Sequence, residues 1–242
     1  MEGPSVHQAA KRIGLLEGQT IEAVYGNARQ PIAQLRGERI QEVRAVRKRL
    51  FVDTTGMSVV THFLMYGSYR INKRREKPER IGLKCTNDTV NIYNGSVKVL
   101  DRNSEEYKEY DRPDRDVLSD RFDRDYALRA MRGEDRIIAD VLLDQDIFGG
   151  VGKIIKNEVL YMTGIDPRSV ASSIPRVKAE ELVENIIEFT GEWLEAKLNG
   201  QKVARVMYNQ TQCECDNKIV REDMGEYNRR TFYCMSCQTL YE

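Results

Sequence analysis

Histidine is nearly missing from this chain: His7 and His62 are the only two in 242 residues. That scarcity argues against a histidine-built metal centre and against a serine–histidine triad, both of which depend on placed imidazoles. Net charge is missing too, because 38 lysines and arginines balance 38 acids, so nucleic-acid binding has to rest on local clusters and not on an overall field. No apolar run approaches the roughly 20 residues that span a bilayer, and no charged-then-apolar leader precedes the first helical pattern. These absences lead us to expect a soluble, intracellular protein with no membrane partner. Internal repeats and low-complexity tracts are also absent.

Local clusters do exist. Basic runs occur at residues 44–49 (RAVRKR), at 70–80 (RINKRREKPER) and at Arg229-Arg230, while acids concentrate between Ser104 and Asp125. Each basic run is either a solvated face or a phosphate contact. The chain opens Met1-Glu2-Gly3-Pro4, an acid beside the α-amine and just before a helical pattern. A terminal amine titrates near about 8, against about 10.4 for lysine, so a useful fraction is an unprotonated nucleophile at neutral pH. A helix amino end nearby lowers it further.

The apolar positions Val6, Ala9, Ala10, Ile13 and Leu16 keep helical spacing, with Pro4 at the start and Gly18 at the stop. Short β-branched segments follow at 21–24, 40–43, 50–52, 59–63, 90–93 and 97–100, and residues up to about 105 read as a β-sandwich or barrel with a terminal helix. The acidic stretch 104–120 lacks a sustained apolar period and suits a linker. From Tyr126 the period is helical, through Ile137, Ile138, Val141 and Leu142, then Ile154 to Leu160, then Leu182 to Leu198. From Met207 onward come short strands around paired cysteines, too small a ribbon to fold without a metal or a docking surface.

Three glycines, Gly149, Gly150 and Gly152, precede the helix that starts near Lys153. Such a turn presents backbone N–H groups to a phosphate, or it serves helix-to-helix geometry alone. It is not a nucleotide P-loop, since no serine or threonine follows the lysine. Four of the five cysteines, Cys213, Cys215, Cys234 and Cys237, fall in the last thirty residues and read as a metal knuckle sooner than as disulfides; Cys85 reads as a small core residue.

Leu142-Leu143-Asp144-Gln145 and the segment GGVGKIIKNEVLYMTGIDPRS at 149–169 strongly resemble the helix-two-turn-helix of the formamidopyrimidine-DNA glycosylase and endonuclease VIII family. Residues 47–51 (RKRLF) resemble its lysine-bearing β-turn, 62–67 (HFLMYG) its base-void hairpin, and 228–234 (NRRTFYC) its zinc-finger hairpin, with Cys237-Gln238 closing the match. The resemblance implies an α+β multidomain fold: an N-terminal catalytic β-sandwich with a leading helix at 1–110, a linker at 111–122, a helix-two-turn-helix domain at 123–204, and a zinc-finger β-hairpin at 205–242. It further implies a bifunctional DNA glycosylase and abasic-site lyase, a cytoplasmic, nucleoid-associated monomer whose partner is double-stranded DNA with damaged bases or abasic sites. In that reading the amine of Met1 attacks C1′, the base leaves, and the Schiff base permits strand cleavage. Glu2 shuttles protons at the sugar, and Lys48 contacts the phosphate or the leaving base. Leu64, Met65 and Tyr66 fill the gap left by the extruded nucleotide, Lys153, Asn157 and Arg230 contact DNA, and the four cysteines hold structural Zn2+. Residues 91–97 (NIYNGSV) stand where the purine-lesion branch has an arginine-arginine-phenylalanine-glycine segment, which tilts the substrate toward oxidised pyrimidines.

Three positions depart from the family pattern. The family nucleophile is a proline exposed by methionine removal, whereas here Met1 stands one residue before the acid. Lys153 stands where the family has asparagine, and Cys213 and Cys215 are separated by one residue where the family has two. Other readings stay open beside the enzyme: a catalytically silent protein that binds damaged or abasic DNA, and a ribbon protein for RNA or protein contacts. The finger likewise admits a form held without metal.

Overall fold

The computed structural model describes residues 1–242, which divide into two compact units, Met1–Arg112 and Pro113–Glu242. Helix α1 (Gly3–Ile13) opens the first unit, with Pro4 in its first turn and Val6, Ala9, Ala10 and Ile13 buried as the periodicity predicts. Six antiparallel strands follow: β1 (Ile21–Tyr25), β2 (Ile40–Val46), β3 (Arg49–Thr54), β4 (Met57–Ile71), β5 (Ile81–Cys85) and β6 (Thr89–Asp101), ordered β1-β5-β6-β4-β3-β2. The long strands β4 and β6 serve both halves of the sheet, which closes on itself as a sandwich. Leu50, Val59 and Phe63 from one half share a core with Ile81, Leu83 and Ile92 from the other, and α1 packs into it.

Two features differ from the sequence expectation. The segments 90–93 and 97–100 form the single strand β6, because Asn94, with a left-handed φ of 52°, stands opposite a bulge in β4 and carries the strand through unbroken. Nor is the acidic stretch merely linker. Ser104 accepts the Tyr107 N–H at its start and a short helix, α2 (Glu105–Tyr110), forms behind it, with Tyr107 buried against Phe51, Val60 and Leu100. One aromatic per turn leaves no period to read.

In the second unit α3 (Arg124–Arg132) is capped by Asp123, and α4 (Ile138–Val141) lasts only one turn, although all four expected apolar positions around it face inward or nearly so. Helix α5 (Lys153–Thr163) ends on Gly164 with φ 71°, a left-handed stop that favours glycine, and α6 (Arg176–Leu198) covers it. Phe148, Ile155, Val159, Leu182 and Ile186 form the centre of this helical core. Strands β7 (Val220–Met224) and β8 (Arg229–Tyr233) pair as a two-stranded hairpin that belongs to the same unit as the helices. No helix is long and apolar enough to cross a membrane.

Candidate active site and nucleic-acid interface

The amine of Met1 stands two residues before α1, with Glu2 as the extended residue whose carbonyl accepts the first helical N–H groups. Partial burial lowers the amine below the ordinary value near 8, the positive Lys48 lowers it further, and Glu2 pulls it back in part. The free-base fraction at neutral pH therefore exceeds that of an exposed terminus. Lys48 and Glu2 thus both act electrostatically on the Met1 amine.

Lys48 belongs to the two-residue connection between β2 and β3, next to Arg47 with φ 59°. A non-glycine residue in that region costs roughly 1 kcal/mol or more and needs compensation. His62, opposite Arg49 on β4, sits with Nδ1 3.2 Å from the Lys48 carbonyl. A carbonyl only accepts, so Nδ1 carries the hydrogen. Burial lowers the His62 pKa, the hydrogen bond to the Lys48 carbonyl opposes this in part, and the nearby Arg49, amino terminus and Lys48 add to the lowering, which favours the neutral ring at pH 7. His62 therefore fixes the lysine turn.

Residues 64–67 of β4 stand opposite Asn94 alone, so they leave the sheet as a bulged loop. The Asn94 amide donates to the Met65 carbonyl. Gly67 is packed so closely that a Cβ there would lie 2.9 Å from the Asn94 and Leu64 carbonyl oxygens. The loop turns Leu64, Met65 and Tyr66 outward at 44%, 70% and 88% exposure, with Tyr66 held at φ 64°. Three large apolar side chains presented together on one taut loop are available to fill a gap in a partner.

In the second unit the Gln145 side chain braces the glycine turn: Oε1 accepts the Gly150 N–H at 3.1 Å, and Nε2 donates to the carbonyls of Leu143 and Val151 at 2.8 and 3.1 Å. Gly150 takes φ 98°. Lys153 begins α5 on its exposed side. Asn157 does not share that surface, contrary to the expectation of a DNA contact. It is fully buried, its Oδ1 accepts the Phe232 N–H at 2.7 Å and its amide donates to the Lys153 carbonyl, so it joins α5 to β8. Its neighbours do the same work. Buried Lys156 donates to Thr231 Oγ1 at 2.6 Å, and buried Glu158 accepts N–H groups of Val206 and Tyr208 at 2.9 and 2.8 Å. Arg230 is exposed on β8, with Nε 3.7 Å from Asp223 across the hairpin.

The four cysteines beside this hairpin place their sulfurs within 4.8 Å of one another, with Cys213–Cys237 at 3.7 Å and Cys215–Cys234 at 3.6 Å. Four thiolates around an ion at about 2.3 Å stand roughly 3.8 Å apart, so the set fits a tetrahedral metal. The one-residue gap is absorbed by a turn in which Asp216 takes φ 65°, its N–H reaches the Cys213 carbonyl at 3.0 Å, and the Cys213 N–H reaches the Asn217 carbonyl at 2.9 Å.

Residues 1–99 match the family model of the formamidopyrimidine-DNA glycosylase N-terminal domain, and residues 114–211 match that of the formamidopyrimidine-DNA glycosylase H2TH domain. The chain belongs to the formamidopyrimidine-DNA glycosylase and endonuclease VIII family. It is 38% identical over 129 residues to endonuclease 8-like 2 of Bos taurus, covering 52% of this chain and 39% of that protein. With endonuclease 8-like 3 of Xenopus laevis it is 29% identical over 247 residues, covering 96% of this chain and 40% of that protein. The chain thus spans about two fifths of the length of these curated relatives. The crystal structure of the MutM (Fpg) protein of Thermus thermophilus superposes with a TM-score of 0.87 at 24% identity, over 98% of both chains, which shows the shared fold.

Family membership covers the amine, the lysine turn, the apolar loop and the glycine turn, whereas Arg230 and the cysteines lie beyond the matched segments. Sequence reasoning passed over Arg47, Gln145, Lys156 and Glu158. For Gln145 a signal existed, since a glycine-rich turn needs a brace for its exposed carbonyls and N–H groups. The buried lysine and glutamate carry none, because a polar helix residue reads as solvated until its partner segment is known.

Proposed function

We propose that the protein is a base-excision DNA glycosylase with abasic-site lyase activity, that it acts on oxidised bases, pyrimidines foremost, and that the amine of Met1 is its nucleophile. The observation that carries this reading is the half-buried amine with lowered pKa between Lys48 and Glu2 in a family of DNA glycosylases. The free amine forms a bond to C1′ as the glycosidic bond breaks. Glu2, half-buried beside it, moves the proton that opens the sugar to an imine, and elimination from that imine cuts the strand. Lys48 steadies negative charge on the phosphate or the departing base. Support for a damaged-DNA partner comes from the fold neighbours: another MutM structure contains DNA with a carbocyclic 8-oxo-G, and the Lactococcus lactis protein was solved with DNA containing an abasic site. Leu64, Met65 and Tyr66 would occupy the space of the extruded nucleotide, with Lys153 and Arg230 on flanking phosphates.

Zinc held by Cys213, Cys215, Cys234 and Cys237 would cross-link the ribbon and present Arg230. Borohydride trapping on abasic-site DNA tests the whole reading. A covalent adduct mapped to Met1 is expected, with a rate whose acid limb lies below pH 8, because a lowered amine pKa keeps the free base present further into acid. Absence of any adduct would leave a protein that binds damaged DNA without chemistry. Incision of duplexes carrying an oxidised pyrimidine against an oxidised purine then tests the lesion preference.

A further inference from the structure

The basic run at 44–49 resembles a phosphate patch, yet Arg44, Arg47 and Arg49 all turn toward α2. Arg44 Nη1 lies 2.6 Å from Asp111 and Nη2 2.7 Å from the Tyr107 hydroxyl, while its Nε lies 2.9 Å from buried Asp53. The Arg49 guanidinium stacks 4.4 Å from the centre of the Tyr110 ring. Arg47 goes further inward. It is 4% exposed, and its Nη2 donates to the carbonyls of Glu109 at 2.9 Å and Tyr110 at 3.3 Å, the last carbonyls of α2. A central hairpin position with φ 59° favours glycine or asparagine, so an arginine there acts against its own backbone preference. The buried guanidinium explains why the conformation persists: the side chain is moored to the end of a helix more than sixty residues later in the sequence.

We propose that Arg47 is a positioning residue, which clamps the β2–β3 turn onto α2 and thereby fixes where Lys48 stands beside the amine of Met1. The catalytic meaning of the clamp rests on that amine being the nucleophile; the clamp itself does not. Two groups bracket the turn, α2 through Arg47 on one side and the His62 ring on the Lys48 carbonyl on the other. Lys48 follows Arg47 directly, so a turn released at Arg47 lets the lysine move away from the amine.

The test reads the Met1 amine without DNA. Reductive methylation by formaldehyde and cyanoborohydride is followed against pH, with the modified residue located by mass spectrometry, for wild type, Lys48→Ala, Arg47→Gly, Arg47→Lys and the double variant. Lys48→Ala is expected to raise the amine midpoint by roughly half a pH unit or more, because a neighbouring positive charge is lost. Arg47→Gly, which accepts the left-handed turn without strain, should move it the same way, and Arg47→Lys should restore part of the shift. In the Lys48→Ala background Arg47→Gly should add nothing, since its effect runs through the lysine. An equal shift in both backgrounds assigns the effect to the arginine's own charge and overturns the proposal, as does a wild-type midpoint in Lys48→Ala or in Arg47→Gly. Leu50→Ala, a core truncation, controls for general loosening and should leave the midpoint in place. If wild-type protein fails to trap on abasic DNA, the nucleophile reading falls while this titration still decides the clamp.

Discussion

Inside the sandwich Leu50, Val59, Phe63, Ile81 and Ile92 are at most 1% exposed and form part of a broad apolar core, whereas the buried cluster of the cysteine ribbon is small, made of Met207, Cys213, Ile219, Phe232 and Cys234 with Tyr161 and Tyr208 against it. The ribbon is held instead by buried polar groups from the helices. Lys156, Asn157 and Glu158 engage it from α5, and the Asp140 carboxylate of α4 accepts the Glu226 N–H at 2.7 Å beneath the hairpin turn. The difference teaches how each region fails. An apolar core loses stability in proportion to the volume removed, while a polar dock that loses one partner leaves a buried group unsatisfied.

The largest effect expected from this contrast is at the cysteines. Stripping metal with a strong chelator, or Cys234→Ser, should free the ribbon while the sandwich stays folded, because a structural zinc supplies on the order of 10 kcal/mol. Hydrogen exchange at residues 219–233 should lose its protection, β3 and β4 should keep theirs, and metal analysis of protein never exposed to chelator should give one zinc per chain. Ribbon amides equally protected after stripping would mean that the polar dock suffices alone.

Much of this organisation is legible in the amino-acid sequence, and the illegible parts share a cause. The amphipathic period of α1, the paired cysteines and the glycine turn are local signals, each contained within a short stretch of chain. The roles of Arg47, Asn157 and Glu158 are not local. Phe232 lies 75 residues beyond Asn157, and Tyr208 lies 50 beyond Glu158. A polar residue on a helix therefore reads as surface, and a run of arginines reads as a solvated face or a phosphate contact, until the chain that covers them is placed. The family resemblance supplied the site's outline, but it assigned Asn157 to DNA where burial assigns it to the hairpin.

A middle-sized pair of effects sharpens the contrast. Leu50→Ala should destabilise the first unit by about 2 to 5 kcal/mol through lost burial and a cavity, with ribbon exchange unchanged. Asn157→Ala should remove about 1 to 3 kcal/mol by leaving the Phe232 N–H without its acceptor in a buried site, and the loss should be confined to the hairpin and α5. Residue-resolved hydrogen exchange separates the two. If Asn157→Ala loosens the helical core as much as the hairpin, the dock is not a separable layer and the contrast fails.

The smallest effect lies on the same helix and concerns the residue that points the other way. Lys153 is exposed at the first turn of α5, four residues from buried Asn157, so one helix carries an inward polar set for the ribbon and an outward cation, the one proposed for a phosphate. Lysine holds a phosphate as a mobile point charge, without the fixed reach of a short amide. Lys153→Ala should leave melting and hydrogen exchange unaltered while reducing the slope of log affinity against log salt by about one, the release of one counterion. Identical slopes for the variant and wild type would remove Lys153 from the DNA surface and leave Arg230 as the second unit's proposed phosphate contact.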